Sequence, residues 1–170
     1  VVCLPSLAKS LHKRLPKKLE EFIDADIDAD IVKKAEEMLE KAPKNIINKV
    51  SMPLSKTTLL APIAHPPKII CLGLNYRDHA AEQNAPIPDE PIIFFKPNTA
   101  VIGPNEYIVK PSFVKQLDYE AELAVVVGRK AKNVPISESK EYIFGYTILN
   151  DVSARDIQFK DKQWTRGKSF

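Results

Sequence analysis

Along the first forty residues, apolar side chains return at helical intervals. Leu15, Leu19, Phe22 and Ile23 form one series and Ile31, Ala35, Met38 and Leu39 a second. The spacing predicts two short amphipathic helices, each with one apolar stripe. Asp30 stands where the second helix needs an N-cap, and Pro43 where it must stop. Between the two, Asp24-Ala25-Asp26-Ile27-Asp28-Ala29-Asp30 alternates acidic and apolar residues. It lacks the mid-loop glycine and the closing glutamate of a calcium loop and reads as a solvated connector.

The stretch Ala61-Pro62-Ile63-Ala64-His65-Pro66-Pro67 breaks this pattern, because each proline favours extended backbone in the residue before it. It predicts a boundary, with a small helical N-terminal segment over 1–66 and a second region over 67–170. Beyond it the apolar positions gather in short runs rich in Ile, Val, Phe and Tyr, set apart by Gly, Pro and Asn. Strands are predicted at 68–74, 91–96, 106–110, 121–127 and 142–149. The chain's 14 prolines leave little room for long helices, and the class expected is α+β.

Composition narrows the function classes. Among 170 residues, 25 Lys+Arg face 22 Asp+Glu, for a net charge of +3 spread along the chain. Dedicated nucleic-acid binding, which gathers basic residues on one face, is not expected. No apolar run approaches the ~18 residues of a membrane span. Cys3 and Cys71 make neither a disulfide framework nor a zinc pattern, and a reducing compartment is the simpler reading. The chain opens on Val1 with no basic, apolar-cored leader and stops on Lys168-Ser169-Phe170, at what reads as the approach to another element. A fragment is therefore expected.

The strongest local chemistry lies in Asp118-Tyr119-Glu120-Ala121-Glu122-Leu123-Ala124-Val125-Val126-Val127. Strand alternation puts Glu120 and Glu122 on one face, roughly 7 Å apart, with Leu123, Val125 and Val127 on the other. Like charges held that close mark either a solvated strand end or a seat for a cation. The strand predicted at 142–149 runs into Asn150-Asp151, and Asp151 either joins the two glutamates or caps the helix that follows. Three carboxylates with no clustered His or Cys would form an all-oxygen site, which selects Mg²⁺, Mn²⁺ or Ca²⁺ over zinc or copper.

A second set follows the strand at 68–74. Within Gly73-Leu74-Asn75-Tyr76-Arg77-Asp78-His79-Ala80-Ala81-Glu82, His79 and Glu82 stand at i and i+3, neighbours on a helical turn. A carboxylate there fixes the imidazole tautomer and raises its basicity, which prepares a general base; a structural histidine is the other reading. Lys168, after Gly167, either presents an ammonium to an anionic substrate or is a solvated charge. The chain has no phosphate-binding glycine loop, dinucleotide fingerprint or serine elbow. Nucleotide chemistry and the common serine hydrolases lose support.

Taken in order, Gly73-Leu74-Asn75-Tyr76 with Asp78-His79, Glu90-Pro91-Ile92-Ile93-Phe94-Phe95-Lys96, Asp118-Tyr119-Glu120-Ala121-Glu122, Asn150-Asp151-Val152-Ser153-Ala154-Arg155-Asp156 and Gly167-Lys168-Ser169-Phe170 resemble the fumarylacetoacetate hydrolase family. Glu82-Gln83-Asn84-Ala85-Pro86-Ile87-Pro88 and Lys162-Gln163-Trp164 are most similar to its mitochondrial branch of oxaloacetate tautomerases. The resemblance implies a mixed β-roll, incomplete here, and a homodimer with one Mg²⁺ or Mn²⁺ per subunit. It implies metal ligands at Glu120, Glu122 and Asp151, a catalytic His79 with Glu82 as its partner, a substrate-site lysine at Lys168 and a mitochondrial location, with the cytoplasm as the alternative. Against the family pattern, the C-terminal half, which completes the roll and brings a Thr-Gly-Thr-Pro turn to the site, is expected to be missing from a fragment of this length. Residues 1–66 carry only weak resemblance.

By this resemblance the substrate is a 2-oxo acid, whose carboxylate and keto oxygen chelate the ion while it stabilises an enolate. Moving a proton from the enol oxygen to carbon makes the enzyme an oxaloacetate tautomerase, the reading ranked first. Activating water makes it a carbon–carbon hydrolase of acylpyruvates, ranked second, and the enolate alone suffices for oxaloacetate decarboxylation. A non-catalytic protein whose carboxylates hold a cation for stability is the remaining alternative.

Overall fold

The structure, a computed structural model, describes residues 1–23 and 30–170; apart from Asp30, the expected acidic connector lies outside the described residues. Helices α1 (Leu4–Ser10), α2 (Leu19–Ile23), α3 (Ile31–Lys41) and α4 (Lys44–Val50) come first. Then follow β1 (Ile69–Gly73), α5 (Arg77–Glu82), β2 (Ile92–Lys96), β3 (Leu117–Asp118), β4 (Ala121–Val127), β5 (Ile143–Asn150), β6 (Ser153–Ala154) and α6 (Arg155–Gln158), with short 3-10 turns between. The α+β class stands.

Local chemistry explains most boundaries. In α3, the Lys34 amide donates to the Asp30 carbonyl at 2.9 Å, so Asp30 takes the N-cap position through its backbone. Pro43 ends α3 by forcing Ala42 extended (ψ 135°), and then itself serves as N-cap of α4. The predicted first helix is cut to α2 because Pro16 contributes no amide donor, and the Lys17 amide goes instead to the Glu21 carboxylate at 3.3 Å. Helix α1, which the periodicity did not single out, carries a proline in its first turn, where a missing N–H costs nothing.

The chain divides into two compact units, Val1–Ile63 with Leu123–Thr147, and Ala64–Glu122 with Ile148–Phe170. In the first, Leu7, Ala8 and Met38 are buried under Leu4, Leu11, Leu15, Ile46, Ile47 and Val50. The core of the second is Val114, Ala154 and Ile157, flanked by Leu117 and Phe170.

The expected β-roll is corrected by the sheet topology. The described strands form three separate two-stranded sheets, β1–β2, β3–β6 and β4–β5, none of them closed or curled into a roll. Closing a roll needs each strand to bond a neighbour on both edges, and in a two-stranded ribbon every strand keeps one edge unpaired. The outward faces stay open as well: Ile70, Leu72, Ile93 and Phe95 on β1–β2, and Leu123, Val125 and Val127 on β4, are all exposed. The strand predicted at 106–110 does not form. Pro104 and Pro111 bracket it, and Tyr107 and Val109, at 93% and 79% exposure, pack on nothing that would reward extension. The other four predicted strands coincide with β1, β2, β4 and β5 within a residue or two.

In the second unit, a 3-10 segment, Trp164–Lys168, lies against α6. That approach depends on Gly167. A Cβ there would stand 2.9 Å from the Gln158 amide nitrogen, 3.0 Å from the Gln158 Cβ and 3.1 Å from the Ala154 carbonyl. Gly167→Ala is expected to destabilise the protein by about 1–3 kcal/mol through overpacking, measured as a fall in the urea midpoint at unchanged m-value; an unchanged midpoint would refute the close approach.

Candidate functional site

Three strand ends and two short helical segments of the second unit converge. The β3–β6 pair sets Asp118 opposite Ser153, and beyond it the Asp151 amide donates to the Glu120 carbonyl at 2.9 Å, while the Glu120 amide donates to Asn150 Oδ1 at 3.2 Å. Crossing bonds at this end and from the Gly128 amide to the Tyr142 carbonyl make β4–β5 antiparallel. Glu120 and Asp151 thus come side by side because their strands pair there.

Between their carboxylates sits an ammonium. Lys168 Nζ donates to Glu120 Oε2 at 2.7 Å and to Asp151 Oδ2 at 2.9 Å, with its side chain 3% exposed. It also lies 5.1 Å from the centroid of the Phe94 ring, a cation–π contact. Phe94 is held edge-on against Trp164 at 5.5 Å. The neighbouring cations complete the cluster. Arg155 pairs with Glu120 Oε1 at 2.6 Å and with Asp118 Oδ2 at 2.9 Å, and Lys96 Nζ stands 2.8 Å from Asp151 Oδ1. That last contact is an ion pair without hydrogen-bond alignment, since Asp151 Oδ1 has no hydrogen-bond partner and Lys96 donates to the Val152 and Lys168 carbonyls at 3.0 and 2.6 Å.

Electrostatics separates the two glutamates. Burial works to raise the Glu120 carboxyl, but Lys168 and then Arg155 outweigh it and hold it below the usual range. Glu122, which accepts a hydrogen bond from the Tyr76 side chain, is pushed up by burial and by the charge of Glu120. Tyr76 arrives there through the loop after β1, where Leu74 adopts a left-handed φ of 50°, uncommon for a residue with a Cβ and a feature that clusters at functional loops.

The sequence-derived candidates therefore divide. Glu120, Asp151 and Lys168 are in direct contact, and Glu122 is close enough to feel all three. Among the described residues, no group of three or more His, Cys, Asp or Glu side chains is arranged to hold a metal ion. His79 and Glu82 lie on α5. The imidazole Nε2 is 2.5 Å from the Gln83 amide nitrogen, which donates to it when the ring carries its proton on Nδ1. Among the described residues, no hydrogen bond or ion pair joins Glu82 to His79, or either of them to the carboxylates. Sequence reasoning missed Lys96 and Arg155. Lys96 had left a signal, a charge at the same strand parity as the buried Phe94. Such a charge must find a partner.

A buried aspartate and a part-buried glutamate share a buried lysine at the end of paired strands, and comparison with known proteins gives the class. The family profile described as fumarylacetoacetate (FAA) hydrolase C-terminal matches residues 68–170, and the chain belongs to that family. It stands close to the oxaloacetate-tautomerase branch: it is 50% identical over 118 residues to the mitochondrial oxaloacetate tautomerase of Xenopus laevis, covering 68% of this chain and 37% of that protein. Among solved structures, the 5-carboxymethyl-2-hydroxymuconate delta-isomerase from Mycobacterium smegmatis matches with a TM-score of 0.62 at 50% identity, over 70% of this chain and 47% of that one. A fumarylacetoacetate hydrolase from Exiguobacterium antarcticum matches with a TM-score of 0.70 at 33% identity, over 91% and 51%. The chain spans about half the length of these relatives, or less.

One thiol reports on the site directly. Burial and then the negative charge of Asp151 push Cys71 up to about 11, whereas Ser6, hydrogen-bonded to it at 3.1 Å, lowers the exposed Cys3. At pH 8, iodoacetamide is expected to modify Cys3 first and Cys71 about 10²-fold more slowly, because only the thiolate reacts. Peptide mass spectrometry checks this. Cys71 should speed up roughly tenfold per pH unit towards its own midpoint, and equal rates for the two thiols in the folded protein would contradict the placement.

Proposed function

We propose that the protein acts on small 2-oxo acids through an enolate, converting enol-oxaloacetate to its keto form. The observation that carries the reading is a pair of carboxylates, the part-buried Glu120 and the buried Asp151, converging on one cationic centre. The likeness to the Xenopus tautomerase and the mycobacterial isomerase, whose names describe proton rearrangement in small organic acids, supports it.

Glu120, Glu122 and Asp151 would hold a Mg²⁺ or Mn²⁺ ion, with Ca²⁺ admitted by the same oxygen chemistry. The all-oxygen donor set has the chemistry of a hard-cation site, while in this structure the Lys168 ammonium lies between Glu120 and Asp151 and Lys96 Nζ stands 2.8 Å from Asp151 Oδ1. Such an ion supplies Lewis-acid stabilisation of negative charge on the keto oxygen. Lys168, drawn off the carboxylates, pairs with the substrate carboxylate. His79 takes the proton from the enol oxygen and returns one to carbon, with Glu82 on the same helical turn as its proposed partner. Hydrolysis of an acylpyruvate, in which His79 would activate water instead, is the second reading, favoured by the likeness to the Exiguobacterium hydrolase. A mitochondrial location follows the Xenopus relative's name, and a homodimer is the assembly proposed. No described helix is long and apolar enough to cross a membrane.

The test follows the loss of enol absorbance from enol-oxaloacetate beside pyruvate release from acylpyruvates at one metal concentration and pH. Faster enol loss is expected; pyruvate release with no enol-dependent rate would favour the hydrolase. His79→Ala is expected to lose ~10²–10⁴-fold in rate while calorimetric Mg²⁺ affinity stays near wild type. Glu122→Ala should weaken that affinity, and equal binding by both proteins would remove Glu122 from the ligand set.

A further inference from the structure

Lys96 stands apart from the candidates read from sequence, yet it touches two of them. It ends β2, its side chain is 5% exposed, and its ammonium makes three contacts: Asp151 Oδ1 at 2.8 Å, the Val152 carbonyl at 3.0 Å and the Lys168 carbonyl at 2.6 Å. A lysine is rarely buried without a partner, and a buried ammonium needs acceptors for its protons. Here every acceptor belongs to the segment after β5 or to the 3-10 segment that carries Lys168. Two residues earlier on the same strand face, the Phe94 ring lies under the Lys168 ammonium at 5.1 Å. The inward face of β2 thus holds Lys168 at both ends, by its carbonyl through Lys96 and by its ammonium through Phe94.

We propose that Lys96 is a positioning residue for this site, orienting the Asp151 carboxylate and fixing the backbone of Lys168 so that Asp151 Oδ2 and Lys168 Nζ meet. The assignment rests on the reading of Asp151 and Lys168 given above, and it concerns their placement. Lys96 engages one oxygen of Asp151 and Lys168 the other, so the carboxylate plane is set by two cations on opposite oxygens. Without Lys96 the carboxylate can rotate and the Lys168 carbonyl loses its donor. A misplacement of about 1 Å in a catalytic group costs on the order of 10²-fold in rate.

The experiment reads the placement of Lys168 without turnover. Reductive methylation followed by peptide mass spectrometry is applied to the wild-type protein and to Lys96→Met, which keeps the side-chain length and removes the charge. Wild-type Lys168 is expected to label far more slowly than the exposed Lys68, and in folded Lys96→Met its protection should fall towards that of Lys68. A thermal melt by far-UV circular dichroism establishes that the variant is folded. In parallel, Lys96→Ala is expected to lose about 10²-fold in kcat/KM on enol-oxaloacetate and to recover part of it on addition of propylammonium, which fits the excised chain and carries N–H donors; tetramethylammonium, which carries none, should not restore it. A folded Lys96→Met in which Lys168 stays as protected as in wild type overturns the proposal. So does a wild type in which Lys168 labels as fast as Lys68, a result that needs no variant to fold. A wild type with protected Lys168 and no enol-dependent rate counts against the tautomerase reading alone, and the labelling of Lys96→Met still decides the role of Lys96.

Discussion

Burying charge is the constraint on which the second unit depends. An isolated ammonium or carboxylate removed from water is too costly to keep, and removing one partner of a buried pair costs about 3–5 kcal/mol. Lys96, Lys168 and Asp151 are all nearly inaccessible, with side chains 5%, 3% and 2% exposed. None of them can be placed until the others are. Because they come from β2, from the 3-10 segment before Phe170 and from the turn after β5, their mutual neutralisation locks three distant stretches of chain into one arrangement.

Backbone pairing and charge pairing reinforce each other there. The Asp151 amide bonds the Glu120 carbonyl, and the Arg155 amide bonds the Gln116 carbonyl at 2.8 Å, while the side chains of Glu120 and Asp151 share Lys168 and Arg155 spans Asp118 and Glu120. A slip of one residue along either strand would turn these side chains to the opposite face and leave the lysines buried without partners. Register in so short a ladder, two residues on β3 and two on β6, is therefore held by ion pairs more than by strand length.

Much of this was legible in the sequence, and the rest was hidden for identifiable reasons. Four strands were readable because Ile, Val and Phe cluster between Gly, Pro and Asn. The segment 106–110 has the same composition but no partner, and a strand exists only through its partner. The roll failed as an expectation because closure is a property of many strands together, and the alternation along β4 does not say that Leu123, Val125 and Val127 face outward, uncovered. At the site, Glu120, Asp151 and Lys168 were legible as candidates, and the structure brings them into contact, but the sequence does not say that the lysine would sit between the carboxylates. Local spacing put Glu82 beside His79, yet the side chain that reaches the imidazole belongs to Gln83, at i+4. Both spacings are neighbourly on a helix, and the choice between them depends on rotamers that spacing does not encode.

The charge balance of the cluster bears on the proposed chemistry. Asp118, Glu120 and Asp151 are matched by Lys96, Lys168 and Arg155, while Glu122, raised by burial and by Glu120, is the carboxylate least disposed to carry charge in their company. A divalent cation held by these oxygens would leave the cluster positive, and an anionic 2-oxo acid would restore the balance. On the proposed reading, the same arithmetic assigns Lys168 to the substrate carboxylate. As the ammonium bound to two carboxylates it is already desolvated and ordered, so transferring it to a substrate carboxylate exchanges one set of charge-assisted bonds for another, with little of the ordering cost that a solvent-exposed lysine would incur. Preorganisation of this kind, with the ordering cost already met in folding, is where enzymes gain most from electrostatics, and here it depends on the inward face of β2 holding Lys168 at both its ammonium and its carbonyl.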